Sequence, residues 1–136
     1  MLASALKVLH VEDDFADAML LQHALHEAGA YDLELEVVRT LKDARLRLER
    51  RTYDLIILDL RLPDSVNPQD TVRTTESVAA GTPVLVLTGS ARVDADALGP
   101  HIVMLDKNEF FHGRSREKSK DLLKQVRVAA DDALHI

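Results

Sequence analysis

The stretch that decides the fold is residues 54–64, which read DLIILDLRLPD. Its four consecutive apolar residues, from Leu55 to Leu58, leave no polar face. Such a run is typical of a short strand buried on both sides in the middle of a parallel sheet. Asp59 follows the run directly, and Pro63 interrupts the segment after it. The stretch therefore predicts a central strand with a carboxylate at its carboxyl end.

Short apolar runs on both sides of this segment predict four more strands. They cover residues 6–11, 33–37, 83–88 and 102–105, and the central strand itself lies within 53–60. In the second run Leu33, Leu35 and Val37 alternate with glutamates. Alternation of this kind predicts a strand at the edge of the sheet, with one face towards solvent.

Helical periodicity fills the intervals between the strands and the end of the chain. The five predicted helices lie within 15–28, 40–51, 68–81, 92–98 and about 115–135. The fourth is shortened because Gly99 and Pro100 end it. Asp14 and Thr40 have the side chains of helix N-caps, and Pro68 suits a first helical turn. Alternating strands and helices predict an α/β fold, a doubly wound parallel sheet with helices on both faces.

The composition fits one globular domain over residues 1–136, with 46% hydrophobic and 29% charged residues. Seventeen Lys and Arg against 23 Asp and Glu give a net charge of −6, which disfavours nucleic acid as a partner. The sequence has no cysteine, so disulfides, zinc–thiolate sites and thiol nucleophiles are excluded. No apolar run is long enough to cross a membrane and the first residues do not resemble a signal peptide, so we expect a cytoplasmic protein.

Acidic, hydroxyl and amine side chains stand where the predicted strands end. Glu12 and Asp13 follow the first strand, Asp59 follows the third, Thr88 closes the fourth and Lys107 lies just beyond the fifth. In a doubly wound sheet the ligand site lies beyond these carboxyl ends. Carboxylates gathered there resist ionisation unless a cation shares the site, and oxygen ligands without His or Cys favour Mg²⁺. Each residue alone could be a turn former, a helix cap or a surface charge. Their coincidence indicates a site for phosphoryl chemistry.

The chain resembles the receiver domain of two-component response regulators. The resemblance runs from about residue 6 to residue 107 and returns in the last helix, and its motifs are VLHVEDD (8–14), DLIILDLRLPD (54–64), PVLVLTG (83–89) and LDK (105–107). It implies a flavodoxin-like sheet with strand order 2-1-3-4-5. It also implies a signalling protein that is not an enzyme, because such a domain assists only its own phosphorylation and dephosphorylation.

Transferred position by position, the resemblance makes Asp59 the phosphoacceptor, with Thr88 and Lys107 each bonding an oxygen of the phosphoryl group. It implies Mg²⁺ as the cofactor. Its implied ligands, of which the glutamate acts through water, are Glu12, Asp13, Asp59 and the backbone carbonyl of Arg61. Arg61 and Ser90 stand two residues past Asp59 and Thr88, where the family tunes the lifetime of the aspartyl phosphate.

The chain departs from the family pattern around Lys107. Met104 stands where an aromatic residue is usual, and Asn108 stands where the lysine is usually followed by proline. Because a cis bond without proline costs about 2.5–4 kcal/mol, we expect a trans peptide bond after Lys107. The segment from Thr88 to Lys107 is short, and residues 109–116 resemble an insertion, so the usual signalling surface must be remodelled.

We expect a stand-alone receiver whose partner is a sensor histidine kinase or a phosphotransfer protein. The segments FAD (15–17) and LLQHAL (20–25) resemble single-domain regulators of phytochrome-type kinases. The apolar end of the last helix indicates a homodimer, because it could extend into a partner chain; its residues are Val126, Ala129, Ala130, Ala133, Leu134 and Ile136. Two alternatives stay open: an interaction scaffold whose switch is lost, given Met104 and Asn108, and a small aspartate-dependent phosphatase or phosphotransferase.

Overall fold

The computed structural model of the chain describes residues 5–89, 93–99, 101–113 and 115–131. Its strands are β1 Leu6–Val11, β2 Leu33–Val38, β3 Leu55–Leu58, β4 Val84–Thr88 and β5 Val103–Asp106. They form one parallel sheet in the order β2-β1-β3-β4-β5. The predicted flavodoxin-like topology is thereby confirmed, with β2 at one edge.

The register of the sheet aligns the strand ends that the sequence singled out. Val11 pairs with Leu58, and Thr88 pairs with Asp106. From β1 the chain moves outward to β2 and then returns past β1 to β3, so the strand order reverses between β1 and β3. Parallel α/β sheets form their ligand crevices at such a reversal, beyond the carboxyl ends of the strands.

Six helices connect or follow these strands. They are α1 Phe15–Glu27, α2 Leu41–Arg50, α3 Pro68–Ala79, α4 Ala95–Leu98, α5 Lys107–Phe111 and α6 Arg116–Asp131. The predicted count of five was wrong, because part of the expected insertion after Lys107 folds as α5. The Asp106 side chain caps this helix and accepts a hydrogen bond from the N–H of Asn108 at 2.9 Å.

The helix boundaries follow from capping side chains. Asp14 caps α1 and accepts from the N–H of Asp17 at 3.2 Å, and Thr40 caps α2. Asn67 caps α3, where Pro68 occupies the first turn. These caps confirm the predicted helix starts. The shortened fourth helix is confirmed as α4, and the described part of the last helix ends at Asp131.

The core has two layers, one on each face of the sheet. Ile56 and Leu58 of β3 point into a cluster with α2, α3 and α4, whereas Leu55 and Ile57 point into a cluster with α1, α5 and α6. All four side chains are fully buried, which confirms the central position predicted for β3. Because β3 is buried on both faces, the backbone from which the Asp59 side chain extends is fixed and shielded from water.

The inner face of α6 corrects part of the dimer hypothesis. Val126, Ala129 and Ala130 are buried in the chain's own core, so these three side chains are not free to contact a partner chain. The other three residues of the hypothesis, Ala133, Leu134 and Ile136, lie outside the described residues. Among the described residues no peptide bond is cis, and the trans bond predicted after Lys107 is confirmed. Within the same residues, none of the helices combines the length and the apolar character that a membrane crossing requires.

Candidate functional site

Three carboxylates converge where β1 and β3 end. Glu12 and Asp13 follow β1, Asp59 follows β3, and one oxygen of each lies within 4.8 Å of the others. Glu12 is 1% exposed and Asp59 is 3% exposed, whereas Asp13 is half-buried. These residues lie together, as predicted from their positions at the strand ends, because the parallel register brings both strand ends to the same edge of the sheet.

Lys107 enters this acidic cluster from the first position of α5. Its Nζ lies 2.5 Å from Oε1 of Glu12 and 3.2 Å from Oδ2 of Asp59. It also donates to Oδ2 of Asp17, in the first turn of α1, at 2.8 Å. The lysine side chain is 10% exposed, so its pairs with the buried Glu12 and Asp59 are shielded from water and stronger than surface ion pairs, whereas the pair with Asp17 is partly exposed.

The carboxylate of Asp59 is held at both oxygens. The backbone N–H of Arg61 donates to Oδ1 at 3.3 Å, and Lys107 Nζ donates to Oδ2 at 3.2 Å. Thr88 ends β4 nearby in the sheet order and is 2% exposed. The structure thus places the Arg61 backbone against Asp59. The metal-ligand role of its carbonyl and the phosphoryl-binding role of Thr88 remain predictions.

Burial and the neighbouring ionisable side chains shift the pKa values of the site residues. Burial, followed by the neighbouring Asp59, raises the pKa of Glu12 to about 8, although Lys107 opposes the shift. Burial alone would lower the pKa of Lys107, but the contacts with Asp17 and Glu12 outweigh it and raise that pKa. Burial, then the charge of Lys107, lowers the pKa of His10 to about 3, so this histidine of β1 is neutral.

The residues at this edge of the sheet fit a small divalent cation. All the converging ligand atoms of Glu12, Asp13 and Asp59 are carboxylate oxygens, the donors that Mg²⁺ prefers over nitrogen or sulfur. Burial, followed by the hydrogen bond with Asp59, raises the pKa of Glu12, so ionising both carboxylates there is costly. A cation shared by these oxygens would reduce that cost.

Two features of the site are not predicted by the sequence. Asp17 contacts Lys107 across a sequence separation of 90 residues. His10 lies beneath the site on β1, is 1% exposed, and has no hydrogen-bond partner among the described residues. Met104, in β5, packs against the cluster on the α2, α3 and α4 face, whereas Ser90 lies outside the described residues.

A model of the response regulator receiver domain matches residues 8–106 of the chain. The chain belongs to this family. The curated relatives of this receiver include the probable transcriptional regulatory protein SilR of Salmonella typhimurium, 37% identical over 65% of the chain and 37% of SilR. The sensor kinase/phosphatase LuxQ of Vibrio harveyi is 32% identical over 74% of the chain and 12% of LuxQ. The receiver therefore spans well under half the length of either relative.

Solved structures share the fold of this receiver. A CheY-like receiver domain protein from Methanospirillum hungatei superposes with a TM-score of 0.70 at 20% identity, over 97% of this chain and 98% of that one. The phosphorylated cyanobacterial phytochrome response regulator RcpA gives 0.68 at 24% identity, over 91% and 92%. The Mn²⁺-bound response regulator Rcp1 gives 0.64 at 25% identity, over 89% and 91%.

Proposed function

We propose that this receiver accepts a phosphoryl group on Asp59, with Mg²⁺ as cofactor, and thereby switches a protein-interaction surface. One observation carries the proposal: the buried Asp59 carboxylate lies against the Lys107 ammonium and within 4.8 Å of the Glu12 and Asp13 carboxylates. A nucleophilic carboxylate, a cation-binding acidic pair and a fixed positive charge are the components that phosphoryl transfer requires.

The described contacts orient Asp59 for attack. A carboxylate oxygen of Asp59 forms a bond to phosphorus while the bond from phosphorus to the donor's histidine nitrogen breaks, and that nitrogen keeps the electron pair. The N–H of Arg61 and the ammonium of Lys107 hold the carboxylate in one orientation. Lys107 and Thr88 then pair with oxygens of the transferred group. Glu12, Asp13, Asp59 and the Arg61 carbonyl would hold Mg²⁺, which when bound neutralises charge on the phosphoryl oxygens.

The partner that the chemistry requires is a protein carrying a phosphohistidine. A sensor histidine kinase or a phosphotransfer protein fits, and we place the reaction in the cytoplasm. LuxQ, a relative, is by name a sensor kinase/phosphatase. RcpA is by its title a phytochrome response regulator, which supports a phytochrome-type kinase as the donor. The receiver itself turns over no substrate and is therefore not an enzyme in this proposal.

We also propose that the receiver forms a homodimer. Val128 of α6 and Val103 of the edge strand β5 are 53% and 41% exposed, so apolar surface is available outside the core. Sedimentation velocity across a range of protein concentrations tests the proposal. A sedimentation coefficient that stays that of the monomer at every concentration contradicts it.

Met104 favours one alternative, an interaction scaffold that no longer switches. It provides neither the ring nor the hydroxyl that the family uses beside the threonine, and it is packed against the core. A phosphatase or phosphotransferase acting on small molecules has less support. We infer that the receiver keeps its switch despite Met104, because an interaction scaffold needs none of the four site side chains. These are Asp59, Lys107, Glu12 and Asp13.

Incubation with acetyl phosphate and Mg²⁺ separates these functions. We expect the wild-type protein to gain the mass of one phosphoryl group per chain and Asp59→Asn to gain none. Asp121→Asn, which removes an exposed carboxylate of α6, is the matched control and should label like the wild type. Absence of labelling in the wild type contradicts the proposal and supports the scaffold, whereas rapid release of inorganic phosphate over many turnovers supports an enzyme.

A further inference from the structure

The Lys107 ammonium lies among three carboxylates that belong to different parts of the fold. It is 2.5 Å from Oε1 of Glu12 after β1, 2.8 Å from Oδ2 of Asp17 in α1 and 3.2 Å from Oδ2 of Asp59 after β3. The contact with the helix is therefore shorter than the contact with the phosphoacceptor.

We propose that Asp17 is a positioning residue that holds the Lys107 ammonium in the resting receiver and competes with the phosphoryl group for it. The inference rests on the proposed function of Asp59. Phosphorylation replaces the single negative charge of the Asp59 carboxylate with a charge of about −1.5 to −2. This charge lies on the side of Lys107 that faces Asp59. The phosphoryl group then attracts Lys107 more strongly than Asp59 did, and Asp17 opposes the shift.

The helix alone does not account for the position of the Asp17 side chain. Asp14 already caps α1, and Asp17 contributes its backbone N–H to that cap. An acidic residue in a first turn is stabilised by the helix dipole wherever its side chain points. In the part of the chain that the structure describes, however, the Asp17 carboxylate has its hydrogen bond and its ion pair with Lys107 alone.

The contact also connects two helices of the same face that follow strands far apart in the sheet. Asp17 belongs to α1, which follows β1, whereas Lys107 begins α5 at the end of β5. β1 and β5 are three positions apart in the sheet order, with β3 and β4 between them. Movement of the ammonium from Asp17 to a phosphoryl oxygen would thus release the first turn of α1 from α5. The attraction of the phosphoryl group for Lys107 must therefore exceed that of Asp17 before the ammonium moves.

Asp17→Asn and Asp14→Asn form a matched pair of variants for the test. Both remove one negative charge from the first turn of α1, and asparagine is also a good N-cap. Asp17→Asn in addition removes the carboxylate that Lys107 contacts. We expect the rate of Asp59 labelling by acetyl phosphate to rise about two- to fivefold in Asp17→Asn relative to Asp14→Asn, the range that a partly exposed ion pair provides.

A second readout follows Lys107 without phosphorylation. Limited acylation, analysed by peptide mass spectrometry with the exposed Lys7 as internal reference, should modify Lys107 severalfold more in Asp17→Asn than in Asp14→Asn or wild type. Thermal unfolding verifies that all three proteins are folded. If the wild type labels on Asp59 but the two variants behave alike, or Asp17→Asn labels more slowly, the role of Asp17 is overturned and the proposed function stands. If the wild type does not label, the proposed function fails and the inference fails with it.

Discussion

Lys107 is the residue that balances the charge of the site. Its ammonium contacts carboxylates from three elements, Glu12 after β1, Asp17 in α1 and Asp59 after β3. Glu12 and Asp59 are almost fully buried, so loss of the lysine would leave this acidic pair without its positively charged partner. Removing one member of such a group destabilises more than forming the pair stabilises. The lysine therefore serves the resting fold as well as the chemistry.

Tyr53 provides a pH-dependent contribution at a second buried position. Its hydroxyl donates to Oε2 of Glu36 at 2.8 Å, and burial, followed by that carboxylate, raises the pKa of Tyr53 to about 12. The folded state thus holds the phenolic proton more tightly than the unfolded state, where the pKa is about 10. The stabilisation is fully present below about pH 10 and is lost as the pH rises towards 12.

Phenolate absorbance measures this shift directly. The chain has two tyrosines, so Tyr31→Phe leaves Tyr53 as the sole absorbing phenol. At pH 11 we expect about a tenth of Tyr53 to be ionised in the folded protein and about nine tenths in urea. Glu36→Gln should increase the ionised fraction of the folded protein at the same pH. A folded-state midpoint near pH 10 contradicts the expectation.

At the scale of elements, the short helix α5 depends on one aromatic anchor. Phe110 is 4% exposed and packs within the cluster that α1 and α6 form on one face of the sheet, whereas Phe111 packs against the same cluster but is only half-buried. A helix of five residues is too short to be stable by its own hydrogen bonds. Packing of Phe110 therefore fixes α5, and with it the helix start that carries Lys107.

Truncation of this anchor tests its role. Phe110→Ala should lower the free energy of unfolding by about 3–5 kcal/mol, because it removes a buried ring and leaves a cavity. Phe111→Ala, one residue away and half-buried, is the matched control and should cost clearly less. Urea denaturation followed by circular dichroism measures both. Equal losses for the two variants would show that Phe110 does not anchor the helix.

The same elements show how far the sequence predicts the structure. Strand β1 occupies the residues predicted for it, because a short apolar run with polar flanks can be buried in only one way, as a strand inside the sheet. Glu12, Asp59 and Lys107 were predictable for a related reason, since parallel strands bring their carboxyl ends together. Helix α5 was not, because a tertiary contact stabilises it and five residues show no periodicity. Asp17 was not either, since its partner lies 90 residues away.

At the scale of the whole molecule, the two core layers lie on opposite faces of the sheet, and the site lies beyond the carboxyl ends of the strands. The cluster on the α1, α5 and α6 face and the cluster on the α2, α3 and α4 face meet the same central strand, β3, which ends at Asp59. Repulsion among the site carboxylates therefore lowers the stability of the whole domain. A ligand that relieves the repulsion should stabilise the whole domain.

Magnesium should accordingly raise the thermal stability of the receiver. A ligand that binds the folded state alone stabilises it by RT ln(1 + [L]/Kd), about 1.4 kcal/mol at ten times Kd, or roughly 5 °C in Tm for a domain of this size. Asp13→Asn removes one ligand oxygen and should abolish most of the shift. Asp121→Asn, which removes an exposed carboxylate of α6, should keep it. Differential scanning calorimetry with MgCl₂ against NaCl of equal ionic strength measures the shift. Equal shifts in both variants would mean that magnesium acts through general screening, because only binding at the strand ends depends on Asp13.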